Sequence, residues 1–134
     1  MNEKKYFIID ASKMPVGRAA THIATVLRGK NSANFRPNSV PGNIVIVINA
    51  SSVYLTAQKE LSKQYYHYSG FHGGLKTKKF SELKNDSPDK IIRAAVKGML
   101  PKNKLQNYFM KNLKIFSGNE HNFGNKNLIP IEEK

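Results

Sequence analysis

Between Lys59 and Lys79 the chain sets cations among rings: Lys59, Lys63, Tyr65, Tyr66, His67, Tyr68, His72, Lys76, Lys78 and Lys79 surround Ser69, Gly70, Gly73 and Gly74. That mixture suits RNA. Lysines neutralise phosphates and release counterions, rings stack on unpaired bases or pack on sugars, and glycine amides allow a nucleic-acid backbone to come close. Some of these tyrosines, Tyr65 first and then Tyr68, are equally suited to anchoring the segment, so the rings divide between the two roles. Arg18, in the first turn of a predicted helix, is placed either for a phosphate contact or for a surface ion pair with Asp10.

A search for catalytic groups yields little. Gly29-Lys30-Asn31-Ser32 lacks the first glycine of a phosphate loop, since Ala24 stands there, and no Ser or Thr directly follows the lysine. The four histidines, His22, His67, His72 and His121, form no pair at helical metal spacing, and there is no cysteine. No metal, cofactor or small-molecule substrate is expected. The opposing reading is a metal-dependent nuclease built on Asp10 with His67 or His72, because functional acids often stand at the carboxyl end of a first strand. A lone carboxylate is poor support for magnesium, and a turn residue bonding nearby amides is the simpler role for Asp10.

Charge strengthens the nucleic-acid reading. Lys+Arg 22 against Asp+Glu 9 gives a formal net charge of +13, which calls for a polyanionic partner. The distribution says more than the sum. From Ala11 to Gln58 stand Lys13, Arg18, Arg28, Lys30 and Arg36 with no acid, and from Lys90 to Asn119 stand Lys90, Arg93, Lys97, Lys102, Lys104, Lys111 and Lys114 with none. Solvated surface lysines would normally be interspersed with acids. The lack of cysteine suits the cytosol, no apolar run approaches the ~20 residues that span a bilayer, and Met1 to Asp10 is too short and too charged for a signal peptide.

At 134 residues the chain fits one domain. Tyr6 to Ile9 reads as a strand leaving through Asp10-Ala11-Ser12. Val16, Ala19, Ala20, Ile23, Ala24 and Leu27 then recur at helical spacing, with Arg18, His22 and Thr25 opposite and Gly29 as the stop. Ile44 to Ile48 is continuously apolar, as in a strand buried on both faces of a parallel sheet, which completes a βαβ unit. Lys30 to Asn43, with Arg36 among prolines, is a loop. Val53 to Leu55 is a candidate short strand, and Ser69 to Lys79 reads as an exposed loop. Ser87-Pro88 opens a helix whose apolar face is Ile91, Ile92, Ala95, Val96 and Met99, with Lys90, Arg93 and Lys97 as a stripe opposite. Pro101 is read as the start of the next helix, burying Leu105 and Phe109 and exposing Lys104 and Lys111. Leu113 to Phe116 returns to the sheet.

Four blocks, in order, carry a resemblance: Ile9-Asp10-Ala11 with Val16-Gly17-Arg18-Ala19-Ala20; Ile44 to Ala50; Lys63 to Leu75; and Ala95-Val96-Lys97-Gly98-Met99-Leu100-Pro101-Lys102-Asn103. Through them the chain resembles the large-subunit ribosomal protein L13 family. The resemblance implies a single three-layer α/β domain over 1–134, with a small, mainly parallel four-stranded sheet flanked by helices, basic loops, and flexible ends at 1–4 and 122–134. It implies binding of large-subunit (23S-type) rRNA, neighbouring large-subunit ribosomal proteins as partners, a role in subunit assembly and translation, no catalysis, and a cytoplasmic or organellar ribosome as location. Family positions carry over at Asp10, Arg18, Gly29, Lys30, Asn49, Lys59, Lys63, Tyr65, Ser69, Gly70, Gly73, Gly74, Lys97, Gly98, Met99, Leu100, Pro101, Lys102 and His121. The chain departs at Ala57, where glycine is usual, at Asn43, where an acid is usual, and after His121, where a second histidine and a glutamine-proline ending are missing. The RNA-binding set expected is Arg18, Arg28, Lys30, Arg36, Lys59, Lys63, Tyr66, His67, Ser69, His72, Lys76, Lys78, Lys79, Arg93, Lys97, Lys102, Lys104, Lys111, Lys114 and His121. A free-standing RNA regulator that stays off ribosomes is a third class.

Overall fold

A computed structural model describes residues 4–30, 42–55, 63–124 and 126–131, with the backbone alone for His67 and Tyr68. Arg36, Ala57, Lys59 and the outermost parts of the two expected flexible ends lie outside them. The first strand, β1 (Lys5–Asp10), turns Phe7 and Ile9 into the core. It ends where the Asp10 carboxylate accepts from the Ser12 amide (2.9 Å) and hydroxyl (2.6 Å), a side-chain turn that takes over from the ladder.

Helix α1 (Val16–Arg28) buries Val16, Ala19, Ala20, Ile23, Ala24, Val26 and Leu27, as the spacing predicts, and leaves Arg18 exposed. Gly29 closes it at φ 78, with its own amide on the Val26 carbonyl and the Lys30 amide on that of Thr25. A side chain at that φ would meet the following carbonyl, so glycine fits there best. Strand β2 (Asn43–Ile48) runs parallel to β1 in the register Phe7↔Val45 and Ile9↔Val47. Val45, Ile46 and Val47 are all fully buried, which confirms a strand covered on both faces. Asn43 is buried too, and its amide nitrogen donates to the Val26 carbonyl at 2.9 Å.

The expected short strand at Val53 to Leu55 is absent. A single 3-10 turn (Ala50–Ser52) precedes it, Val53 is fully buried, and the Tyr54 carbonyl accepts from the Val16 amide at 2.9 Å, so this segment ties down the start of α1. The expected loop after Ser69 is instead part of an antiparallel hairpin, β3 (Gln64–Tyr68) and β4 (Leu75–Lys79). Directly behind it lies α2 (Phe80–Asp86), which the sequence reading left out and which buries Phe80 and Leu83.

Helix α3 (Pro88–Met99) begins at the expected Ser87-Pro88 and buries Ile91, Ile92 and Val96. Met99, assigned to that apolar face, is 42% exposed; its sulfur accepts from the Thr21 hydroxyl at 3.4 Å across to α1. The next helix, α4 (Gln106–Lys111), starts later than Pro101. Asn103 is the reason. Its side-chain oxygen takes the Leu105 amide (2.9 Å), and its carbonyl takes the Gln106 amide, which holds 101–105 in turns.

Strand β5 (Leu113–Ile115) then pairs parallel with β2, and β6 (Leu128–Pro130) pairs parallel with β1 on the other side. The order β5-β2-β1-β6 gives a four-stranded, all-parallel sheet with helices against it. Phe7, Ile9, Val45 and Val47 share one buried cluster with α1 and α3, while Ile46, buried but outside that cluster, points to the opposite face. Tyr6 also points there, and its ring lies 5.8 Å from that of Phe123, which in turn meets Phe116 edge-on at 6.3 Å.

Candidate nucleic-acid interface

Where α3 meets α4, the chain stops one helix and delays the next, and the result is an open concavity of about 600 Å³ lined by Ala94, Lys97, Gly98, Lys102, Asn103 and Gln106. Leu100 plugs the corner from below: it is 3% exposed, extended, and its amide bonds the Val96 carbonyl. The Gln106 side chain donates to the Lys97 carbonyl at 3.0 Å and fixes the two helices relative to one another. Gly98 leaves the floor open, because a Cβ there would meet nothing within 4 Å. Lys97 and Lys102 are exposed at its rim.

On the other side of Ala94 lies a deeper cleft of about 770 Å³. Pro15, Val16, Gly17 and Arg18 from the start of α1, Leu55, Lys63 and Tyr65, and Ile91, Ala94 and Ala95 of α3 form its walls. Ala94 thus separates two adjoining hollows. Among the described residues four cations line the pair, Arg18, Lys63, Lys97 and Lys102, and no acid does. Among the described residues none of the four is salt-bridged to a carboxylate, and no ion pair joins Arg18 to Asp10. Tyr65 is half-buried and packed on the core, as the anchoring role requires; burial pushes its phenol above the ordinary value, and the Lys63 ammonium sits 5.6 Å from the ring centre.

The hairpin stands out from this surface. Its register sets Tyr66 opposite Thr77, His67 opposite Lys76, and Tyr65 opposite Lys78, so Lys76 and Lys78 share one face while Tyr66, Thr77 and Leu75 share the other. Every residue of β4 is exposed, Tyr66 is 66% exposed, and Phe71 at the tip is 77% exposed. The tip depends on its glycines. Gly70 and Gly73 have φ of 89° and 74°, and a Cβ on Gly74 would collide with the Ser69 hydroxyl and the Phe71 carbonyl. Of the cations here, Lys78 is shared with Asp86 at 3.5 Å; His72, Lys76 and Lys79 are exposed.

Other expected contacts lie elsewhere. Arg28 and Lys30 are at the far end of α1, about 15 Å from Arg18 by helical rise. Arg93 is paired with Asp89 at 3.8 Å, one turn back on α3. Lys111 lies over Tyr108 at 5.6 Å, and Lys104 and Lys114 are exposed singly. His121 organises its own loop, its Nδ1 accepting the Phe123 amide at 3.2 Å. The sequence reading missed Phe71, Ala94, Asn103 and Gln106 as surface-shaping residues, since none carries charge and only the fold brings the last three together. Asp10 takes the turn role. Partial burial opposes its ionisation, but the Ser12 hydroxyl and amide, the Asn49 side chain and nearby Lys13 hold its carboxyl below the ordinary aspartate value. Among the described residues no three His, Cys, Asp or Glu side chains are grouped to hold a metal ion, and no helix is long and apolar enough to cross a membrane.

A parallel α/β body with acid-free basic hollows and a projecting cationic hairpin defines a class of basic surface-binding protein. Its relatives are specific. The family model for Ribosomal protein L13 matches residues 4–122. Curated proteins called "Large ribosomal subunit protein uL13" are similar throughout: that of Natranaerobius thermophilus is 47% identical over 119 residues, covering 89% of this chain and 83% of the relative. That of Salinispora arenicola is 44% identical over 132 residues, 98% of this chain and 90% of the relative, and that of Treponema pallidum is 43% identical over 128 residues, 96% and 90%. The chain belongs to the ribosomal protein L13 family. These are names of ribosomal proteins and not of enzymes. The family match stops at residue 122, where the departures in the tail begin.

Proposed function

We propose that this protein is a non-catalytic constituent of the large ribosomal subunit that binds 23S-type rRNA, sits beside other large-subunit proteins, and supports subunit assembly and translation on a cytoplasmic or organellar ribosome. The observation that carries the reading is the pair of hollows flanking Ala94, lined among the described residues by four cations and no acid, in a chain of this family. Cations on a preformed concave surface bind a folded polyanion by phosphate neutralisation and shape fit. The exposed hairpin supplies a second cationic surface, and Tyr66 and Phe71 on it offer rings to unpaired bases. The relatives' names, each that of a large-subunit protein, support the same assignment. The test is cosedimentation of the full chain with large subunits in a sucrose gradient, together with the salt dependence of binding to purified large-subunit rRNA. The expected result is a ribosome-bound pool and an affinity that falls by roughly 0.7 to 0.9 log units per log unit of salt for every phosphate contact. A flat salt response, or a pool that remains off ribosomes, overturns it.

A further inference from the structure

We infer that the cleft between the start of α1, the outer side of α3 and Tyr65 seats a single unpaired nucleobase of an RNA strand, with Tyr65 as the platform and Arg18 and Lys63 holding the flanking phosphates. The inference rests on the RNA-binding reading above and goes further by giving one hollow a chemical occupant. The cleft differs from the rest of the basic surface in having apolar walls. Val16, Ile91, Ala95 and Leu55 line it, whereas the hollow across Ala94 is edged by Asn103, Gln106 and two lysines. A phosphate alone gains nothing from aliphatic walls, and an aliphatic ligand gains nothing from Arg18 and Lys63. A nucleotide joins an aromatic, largely apolar base to an anionic link, and it matches both halves of the lining. About 770 Å³ is within the ordinary range for a small-molecule pocket and admits a base with its sugar.

Tyr65 is prepared for the platform role. It is held from behind by the core and from the side by the hairpin register, so little rotamer freedom is lost when a base stacks on it. Lys63, already 5.6 Å from that ring, has no carboxylate partner among the described residues and can turn to a phosphate. The strand's onward course follows from the shared wall: a chain leaving the cleft over Ala94 meets Lys97 and Lys102 next.

The test uses the full-length protein and a five-nucleotide oligouridine with 2-aminopurine at its centre, whose fluorescence falls on stacking, beside the same pentamer with an abasic centre. Gly17→Phe narrows the cleft without removing a cation, because Gly17 is exposed and a Cβ there has open space. Tyr65→Leu removes the platform. The expected result is quenching that saturates with wild-type protein, and about tenfold weaker binding of the base-containing pentamer by either variant, the size of one stacked base. The slope of affinity against salt is unchanged. Wild type and Gly17→Phe bind the abasic pentamer alike. Equal affinity of wild type for the two pentamers overturns the inference, and that arm needs no variant to fold. If an acidic, leucine-bearing peptide occupies the cleft and the pentamer does not, the occupant is a protein segment and the inference fails. Purified large-subunit rRNA measured alongside separates the failures: rRNA bound with indifference to the central base removes only the cleft assignment, and rRNA not bound at all removes the function reading with it.

Discussion

The β1-α1-β2 unit and the β3-β4 hairpin use their stretches of chain in opposite ways. In the first, Ile23, Leu27, Val45, Ile46 and Val47 are fully buried and the only acid, Asp10, is taken up by its own turn. In the second, every residue of β4 faces solvent, and a two-stranded hairpin of this kind is marginal by itself. It persists because Tyr65 reaches the core and because the Phe80 amide bonds the Lys63 carbonyl across its base, with Phe80 and Leu83 buried behind it. Stability and charge are therefore segregated, and damage to one region has a different readout from damage to the other.

The largest effect on that division is expected from Ile23→Ala, which leaves a cavity between α1 and the sheet and lowers unfolding free energy by about 2 to 5 kcal/mol in urea titration. Tyr66→Ala on the hairpin is expected to change it by less than about 0.5 kcal/mol. Equal losses would break the comparison. Next in size is the replacement of Lys97 and Lys102 together by glutamine. The affinity deficit of this variant relative to wild type on large-subunit rRNA should widen roughly five- to eightfold per lost contact between ~1 M and ~0.1 M salt, with an unchanged thermal melt. A collapsed melt would mean that the α3-α4 corner belongs to the core.

The smallest effect is electrostatic and tests whether the turn acid is purely structural. The folded state holds the Asp10 carboxyl below its ordinary value, so its stabilisation is complete above the unfolded value and is lost as pH falls through the lower folded one. Asp10→Asn keeps an oxygen for Ser12 and removes the charge. The difference in urea midpoint between wild type and variant should be present at neutral pH and close as the pH drops below about 4. A gap that stays constant with pH would assign the effect to something other than the carboxylate.

The buried unit was legible because its signals are local. Helical spacing from Val16 to Leu27, a left-handed stop at Gly29 and an unbroken apolar run at Ile44 each identify one element from its own residues. Ser69 to Lys79 reads as a loop because the period of two in Leu75, Thr77 and Lys79 is short and lies between lysines, and Gln64 to Tyr68 shows no alternation to mark a partner strand. Pro101 signals a helix start because proline tolerates a first turn, but Asn103 captures the Leu105 amide and delays the helix to Gln106. Of the candidate surface, the cations were evident in the sequence. What gathers Arg18, Lys97 and Lys102 around Ala94 is the packing of α1 on α3, a contact between segments about seventy residues apart.

The register of β6 bears on how the sheet is completed. Leu128 pairs with Tyr6, and the Ile131 amide bonds the Ile8 carbonyl at 2.9 Å, so one flank of β1 keeps an open row of hydrogen-bonding groups until the segment through Ile131 has left the site of synthesis. Such distant closure is slow relative to the local βαβ unit. The nascent molecule therefore passes through a stage with a bare strand edge, when a chaperone or the nearby nucleic acid can shield it.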